Sequence, residues 1–190
     1  MQTGCGCAGC FTRLFVAVFV LGAAVVGFLW HDAHYVAPWA YGKPPLLTGT
    51  WVGPFQTPSG ESGMLELTIA REMNTRTTHR ASPNNRALIQ ASASICGLTP
   101  GVSHIRFYGS ANRTADDVIL EPDRIDTRQS GIDIDGMRGA WRGDTLQMTA
   151  AFFSPQGGLD STTIVLHSAP PTHLLVNCWQ VPASKSHPAR

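Results

Sequence analysis

The residues best able to make or hold a covalent or metal bond in this chain are its five cysteines, at 5, 7, 10, 96 and 178. The first three form a C-x-C-x-x-C run, Cys5-Gly6-Cys7-Ala8-Gly9-Cys10. Such a run can gather thiolates around a soft metal, but three thiols without a fourth ligand hold one poorly. Acylation is a second reading for cysteines beside a membrane segment, and free reduced thiols are the expectation. Cys96 and Cys178 stand apart from these and from each other. If their part of the chain lies in an oxidising compartment, a bridge between them is expected. It would close a loop of about 80 residues and contribute about 4 kcal/mol on the chain-entropy model. Two separate buried thiols are the alternative.

Other reactive types are scattered. Ser59 sits in Pro58-Ser59-Gly60, a turn composition, and no G-x-S-x-G run occurs. His104, His167 and His173 form no H-x-H or H-x-x-x-H pair, so no metal site is expected. Asp116, Asp117, Glu121, Asp123, Asp126, Asp133 and Asp135 lack the D-x-D-x-D-G order and terminal Glu of a calcium loop. Asp133 and Asp135 are two apart and are expected on one strand face. Paired carboxylates can do acid/base work when one pKa is raised, but the solvent face of an edge strand explains them better. Asn112-Arg113-Thr114 is a glycosylation sequon, meaningful only in a eukaryotic secretory pathway. No catalytic residue and no cofactor are expected.

What must position these residues is set first by the N-terminus. Leu14 to Trp30 reads LFVAVFVLGAAVVGFLW, without a charge. A hydrocarbon core about 30 Å thick needs roughly 20 apolar residues, and Phe11 to Trp30 supplies them, with Arg13 able to snorkel. Trp30, Trp39 and Tyr41 fit an interfacial aromatic belt, and Arg13 as the only preceding charge places the N-terminus in the cytoplasm. A cleaved signal would want a shorter apolar region and an A-x-A-like site; a buried core helix is the third reading. The organisation expected is a cytosolic tail over 1–13, a transmembrane signal-anchor over 14–30, a short extended linker over 31–46, a β domain over 47–182 and a disordered tail over 183–190. The bilayer is thus a partner through Leu14–Trp30, in the cytoplasmic membrane with the β domain periplasmic. A bacterial source is presumed, because Lys occurs only at 43 and 185 while Arg is frequent. Net charge is +1 with 14% charged residues, so no basic stripe points to nucleic acid.

Beyond residue 47 alternation replaces helical periodicity. Strands are expected at Gly49–Phe55, Gly63–Arg71, Leu88–Cys96, around Ile105 and Phe107, at Val118–Leu120, around Ile132 and Ile134, at Leu146–Phe152, Ser161–His167 and Leu174–Val181. Pro58-Ser59-Gly60, Ser82-Pro83-Asn84-Asn85, Thr99-Pro100-Gly101, Arg142-Gly143-Asp144 and Gln156-Gly157-Gly158 supply turn chemistry between them. Nine short strands in meander order fit an all-β fold, an antiparallel barrel or alternatively a sandwich, and closure would remove the exposed edges. Glu72 to Asn85 reads as a long polar loop or a lip over a cavity.

Gly49-Thr50-Trp51, at the mouth of the first strand, resembles the G-x-W signature that opens lipocalins and related calycin barrels. The resemblance implies a Trp capping one barrel end and a pocket for a small apolar or amphipathic ligand. A T-D-Y-like turn and the Arg that stacks on the Trp are not recognisable here. Trp51, Phe107, Trp141 and Phe152 are the candidate ligand-lining residues, with small inward Ala91, Ala93 and Ala150 leaving room. Phe152 and Phe153 face opposite ways, so one aromatic is expected on the outside. The alternative function is an envelope protein–protein interaction or assembly module, with an apolar patch near Phe153 or in the 72–85 loop.

Overall fold

The structure, a computed structural model, describes residues 7–42, 44–72, 86–98, 101–154 and 157–170. Eight antiparallel strands close a barrel in simple up-and-down order, so the meander is a barrel and not a sandwich. They are β1 (Gly49–Gln56), β2 (Ser62–Arg71), β3 (Ala87–Cys96), β4 (Val102–Ala111), β5 (Val118–Pro122), β6 (Ile134–Arg142), β7 (Thr145–Phe153) and β8 (Leu159–Ala169). The ninth expected strand, Leu174–Val181, lies outside the described residues, as do 73–85 of the polar loop. Closure is by β1 on β8 through Thr50↔Ala169, Trp51↔Ser168 and Val52↔His167.

Period-two alternation drives this arrangement, because successive side chains point to opposite faces. Leu65, Leu67 and Ile69 on β2 are buried, as are Ile89, Ala91, Ala93 and Ile95 on β3 and Leu146, Met148, Ala150 and Phe152 on β7. An eight-stranded barrel is just wide enough for its own side chains, and here Trp51, Phe107, Leu67, Ile69, Ile105, Leu120, Met148 and Ile164 fill the middle. Ala91, Ala93 and Ala150, expected to leave room, are buried in this same cluster. Two inward glycines let strands approach closely. A Cβ on Gly109 would stand 1.9 Å from Ile119 O, and one on Gly139 1.9 Å from Gln147 O.

Within the barrel, two parts differ from the sequence-based expectation. The first is β6, which begins at Ile134, shifts register between Ile134 and Gly136 and runs on to Arg142. Asp135 occupies that irregularity and Asp133 precedes the strand, so the two acids are not a regular same-face pair. The second is a short helix, α2 (Arg124–Ser130), inserted between β5 and β6. Asp123 caps it by accepting from Ile125 N at 2.9 Å, and Gly131 ends it in a left-handed conformation at φ 68°.

The N-terminal helix, α1 (Cys7–His31), is continued by a π turn over Asp32–Val36 and a 3₁₀ turn over Pro38–Ala40. It is one helix long and apolar enough to cross a membrane. Its described side chains from Thr12 to His31 are exposed. Pro38 stops it, since the residue before a proline is pushed out of the helical region; Ala37 sits at φ −139°, ψ 62°.

Residues 31–46, expected as an extended linker, instead fold back onto the barrel. Ala37, Trp39 and Leu47 join its core. Trp39 Nε1 donates to Asn112 O at 2.9 Å, so Trp39 is a barrel residue and not a membrane-belt anchor. Arg71 forks onto the Asp32 carboxylate, with Nε at 3.1 Å from Oδ2, and Tyr41 Oη donates to the same oxygen at 2.9 Å. Burial first, and then Asp32 beside it, pushes the Tyr41 hydroxyl pKa up.

Candidate functional site: the far mouth of the barrel

The barrel has two unlike ends. The helix end is sealed. Trp51 Nε1 donates to Leu47 O at 2.8 Å, which locks the indole beneath the incoming chain, and Ala37 and Trp39 cover it. The far end carries the β1–β2, β3–β4 and β7–β8 connections together with α2. Between these lies a cavity of about 450 Å³, lined by Thr57, Pro58, Ser59, Glu61, Leu98, Gly131, Ile132, Asp133, Phe152, Phe153, Ser154 and Asp160.

Its floor is apolar: Phe152 and Ile132 are buried core residues, and Leu98 packs against the same core. Its rim is polar. The β1–β2 turn is braced by Thr57 N donating to Glu61 O at 2.8 Å and by Glu61 N donating to Thr57 Oγ1 at 3.1 Å. Asp133 is held against β7 by Phe153 N donating to its carbonyl at 2.9 Å. Gly157 and Gly158, both at positive φ, turn the chain back so that Ser154 N reaches Gly158 O at 3.1 Å.

The approach to Gly131–Asp133 is set by α2, which β4 holds in place. Arg106 Nε and its backbone N both donate to Asp126 Oδ2 at 2.9 Å. That guanidinium holds the Asp126 carboxyl below the usual carboxylate range, and the carboxylate raises the Arg106 pKa in return. A second network lies towards the helix end. Arg86 bonds Asp117, whose pKa it lowers against the opposing effect of burial, and Arg138 Nε adds a contact at 2.8 Å.

Of the four residues expected to line a ligand cavity, only Phe152 borders this cavity. Trp51 and Phe107 are fully buried in the packed middle. Trp141 lies towards the helix end, its backbone N donating to Ala115 O at 2.8 Å and its indole N–H buried with no partner among the described residues. Phe153 is the outward aromatic, 55% exposed. The sequence reading missed Leu98, Ile132, Ser154 and Asp160 as neighbours of one another. Local sequence favours a turn at Pro58-Ser59-Gly60 and a solvent-facing role for Asp133, and neither pattern places them beside one cavity. Among the described residues, no three His, Cys, Asp or Glu are placed to hold a metal. His104 bonds Ser94 on the exposed wall at 3.1 Å.

The fold and site therefore define a closed eight-stranded antiparallel barrel behind an apolar helix, sealed at one end and indented at the other. No family model, curated protein or solved structure matches the chain.

Proposed function

We propose that this is a membrane-anchored extracytoplasmic barrel that binds a small apolar or amphipathic ligand at its far mouth, without catalysis. The observation that carries the reading is the cavity itself: an apolar floor of Phe152, Ile132 and Leu98 inside a polar rim, at the end opposite the helix. Pockets of this size with an apolar bed and a few polar groups are the usual form of small-molecule sites. The lipocalin-like part of the reading rests on the up-and-down barrel and on Trp51 beneath the end where the chain enters. The helix acts as a signal-anchor with the N-terminus in the cytoplasm, which displays the barrel in the periplasm of a presumed bacterial source.

A Cys96–Cys178 bridge belongs to this reading. Cys178 lies outside the described residues. Cys96 follows inward Ile95 and so points off the outer wall, yet it is 3% exposed and engaged in a contact. An outward residue so buried needs cover from another part of the chain, and a bridged C-terminal segment would supply it.

A second reading, an envelope interaction module, is favoured by Phe153 and Leu159. They are register partners at the rim, each 55% exposed.

The test is native mass spectrometry of the full chain released from nanodiscs. A small-molecule adduct lost on denaturation, and lost in Phe152→Ala, is expected. A mass two protons below the sequence mass is expected for the bridge. An adduct unaffected by Phe152→Ala, or no adduct with any added amphiphile, overturns the pocket reading.

A further inference from the structure

We infer that the far mouth selects amphiphiles with a positively charged head; this rests on the pocket reading above. Three carboxylates, Glu61, Asp133 and Asp160, line the cavity, and among the described residues no Lys, Arg or His lines it. Four carboxylates elsewhere in the described structure are ion-paired. Asp32 is paired with Arg71, Asp117 with Arg86 and Arg138, and Asp123 and Asp126 with Arg106. Among the described residues, Glu61, Asp133 and Asp160 take part in no ion pair. α2 ends beside the cavity and carries Arg124 and Arg128, yet neither lines it.

The three acids come from three separate connections: Glu61 from the β1–β2 turn, Asp133 from the segment after α2, and Asp160 from the start of β8. Their negative charge therefore converges over the floor made by Phe152, Ile132 and Leu98. An apolar bed beneath an uncompensated anionic rim is complementary to an alkyl chain ending in an ammonium group. An anionic head would meet three like charges, and like-charge juxtaposition is a strong means of rejecting wrong ligands. A neutral amphiphile of the same chain length would have the floor alone.

The experiment uses the full chain in zwitterionic-lipid nanodiscs, with empty nanodiscs as the blank. Hexylammonium, hexanol and hexanoate are titrated at low and high salt. The expected result is hexylammonium binding about tenfold tighter than hexanol and hexanoate weakest, a gap that shrinks at high salt because exposed charges are screened. In Glu61→Gln/Asp133→Asn/Asp160→Asn the three probes should converge on the affinity of hexanol. These acids are exposed, so the triple variant is expected to keep the parent's melting temperature. Equal binding of the three probes to the parent chain, or a preference for hexanoate, overturns the charge selection and leaves the pocket standing. Failure of all three to bind removes the pocket reading and this inference with it.

Discussion

Replacing Asp32 with Ala should uncouple the barrel from its helix at a measurable cost. The Asp32 side chain is 8% exposed and that of Arg71 13%. Tyr41 Oη donates to the same carboxylate, while Arg71 Nη1 is already buried with no partner among the described residues. Without Asp32 the guanidinium keeps its burial and loses its ion-pair partner among the described residues. Removing one member of a buried pair costs about 3–5 kcal/mol; the residual exposure here brings the expectation to about 2–4 kcal/mol. For a chain of this size that corresponds to a melting-temperature drop of about 4–16 °C.

The assay is a double-mutant cycle in nanodiscs with Asp32→Ala, Arg71→Met and both, read by thermal melting. Hydrogen exchange at residues 32–40 reports whether the junction opens. Arg71→Met in the Asp32→Ala background removes the orphaned charge, so the double variant should be more stable than the sum of single losses by at least about 1 kcal/mol. Additivity within about 0.5 kcal/mol, or an Asp32→Ala protein that melts with the parent, would refute the reasoning.

Gly139→Ala should destabilise the barrel by at least about 2 kcal/mol, because the new Cβ meets the backbone oxygen of Gln147 and cannot be relieved by a rotamer change; a melting temperature within 2 °C of the parent, roughly the effect of a neutral surface change, would contradict it. The pH dependence follows from Asp117 and Asp126, whose folded-state pKa values lie below their ordinary ones. Their contribution is fully present above the unfolded carboxylate pKa of about 4 and is lost as pH falls through the lower folded values. The melting temperature should therefore hold to about pH 4 and decline below it, with Asp117→Asn flattening that decline; an identical acid limb in the variant would refute the assignment.

Much of the fold is legible in the chain because it depends on local periodicity. The uncharged run from Leu14 to Trp30 requires a long helix, whatever follows it. The two-residue alternation in 65–69, 89–95 and 146–152 requires strands with one buried face, and the turn residues between them make a meander. The short helix α2 left no periodic trace. Its one large apolar residue, Ile125, is 63% exposed, so nothing in 124–130 repeats towards a core; Asp123 and Gly131 were the only signals. Residues 31–46 misled for a related reason. Prolines and glycine describe the backbone of a connection, not what it packs against, and only the folded barrel offers Trp39 the Asn112 carbonyl and Asp32 the Arg71 guanidinium.

The candidate site belongs wholly to tertiary structure. Glu61, Leu98, Ile132, Phe152 and Asp160 span a hundred residues and share no local pattern. They meet because an up-and-down barrel brings every second connection to the same end. Trp51 and Phe107 have the composition of ligand-lining residues, but an eight-stranded barrel has room only for its own side chains, and they fill its middle. The sequence by itself determined an apolar helix and a set of half-buried strands, since burial periodicity is written residue by residue. Which end is sealed, which is open and which carboxylates go unpaired was decided only when closure set the strand ends against one another.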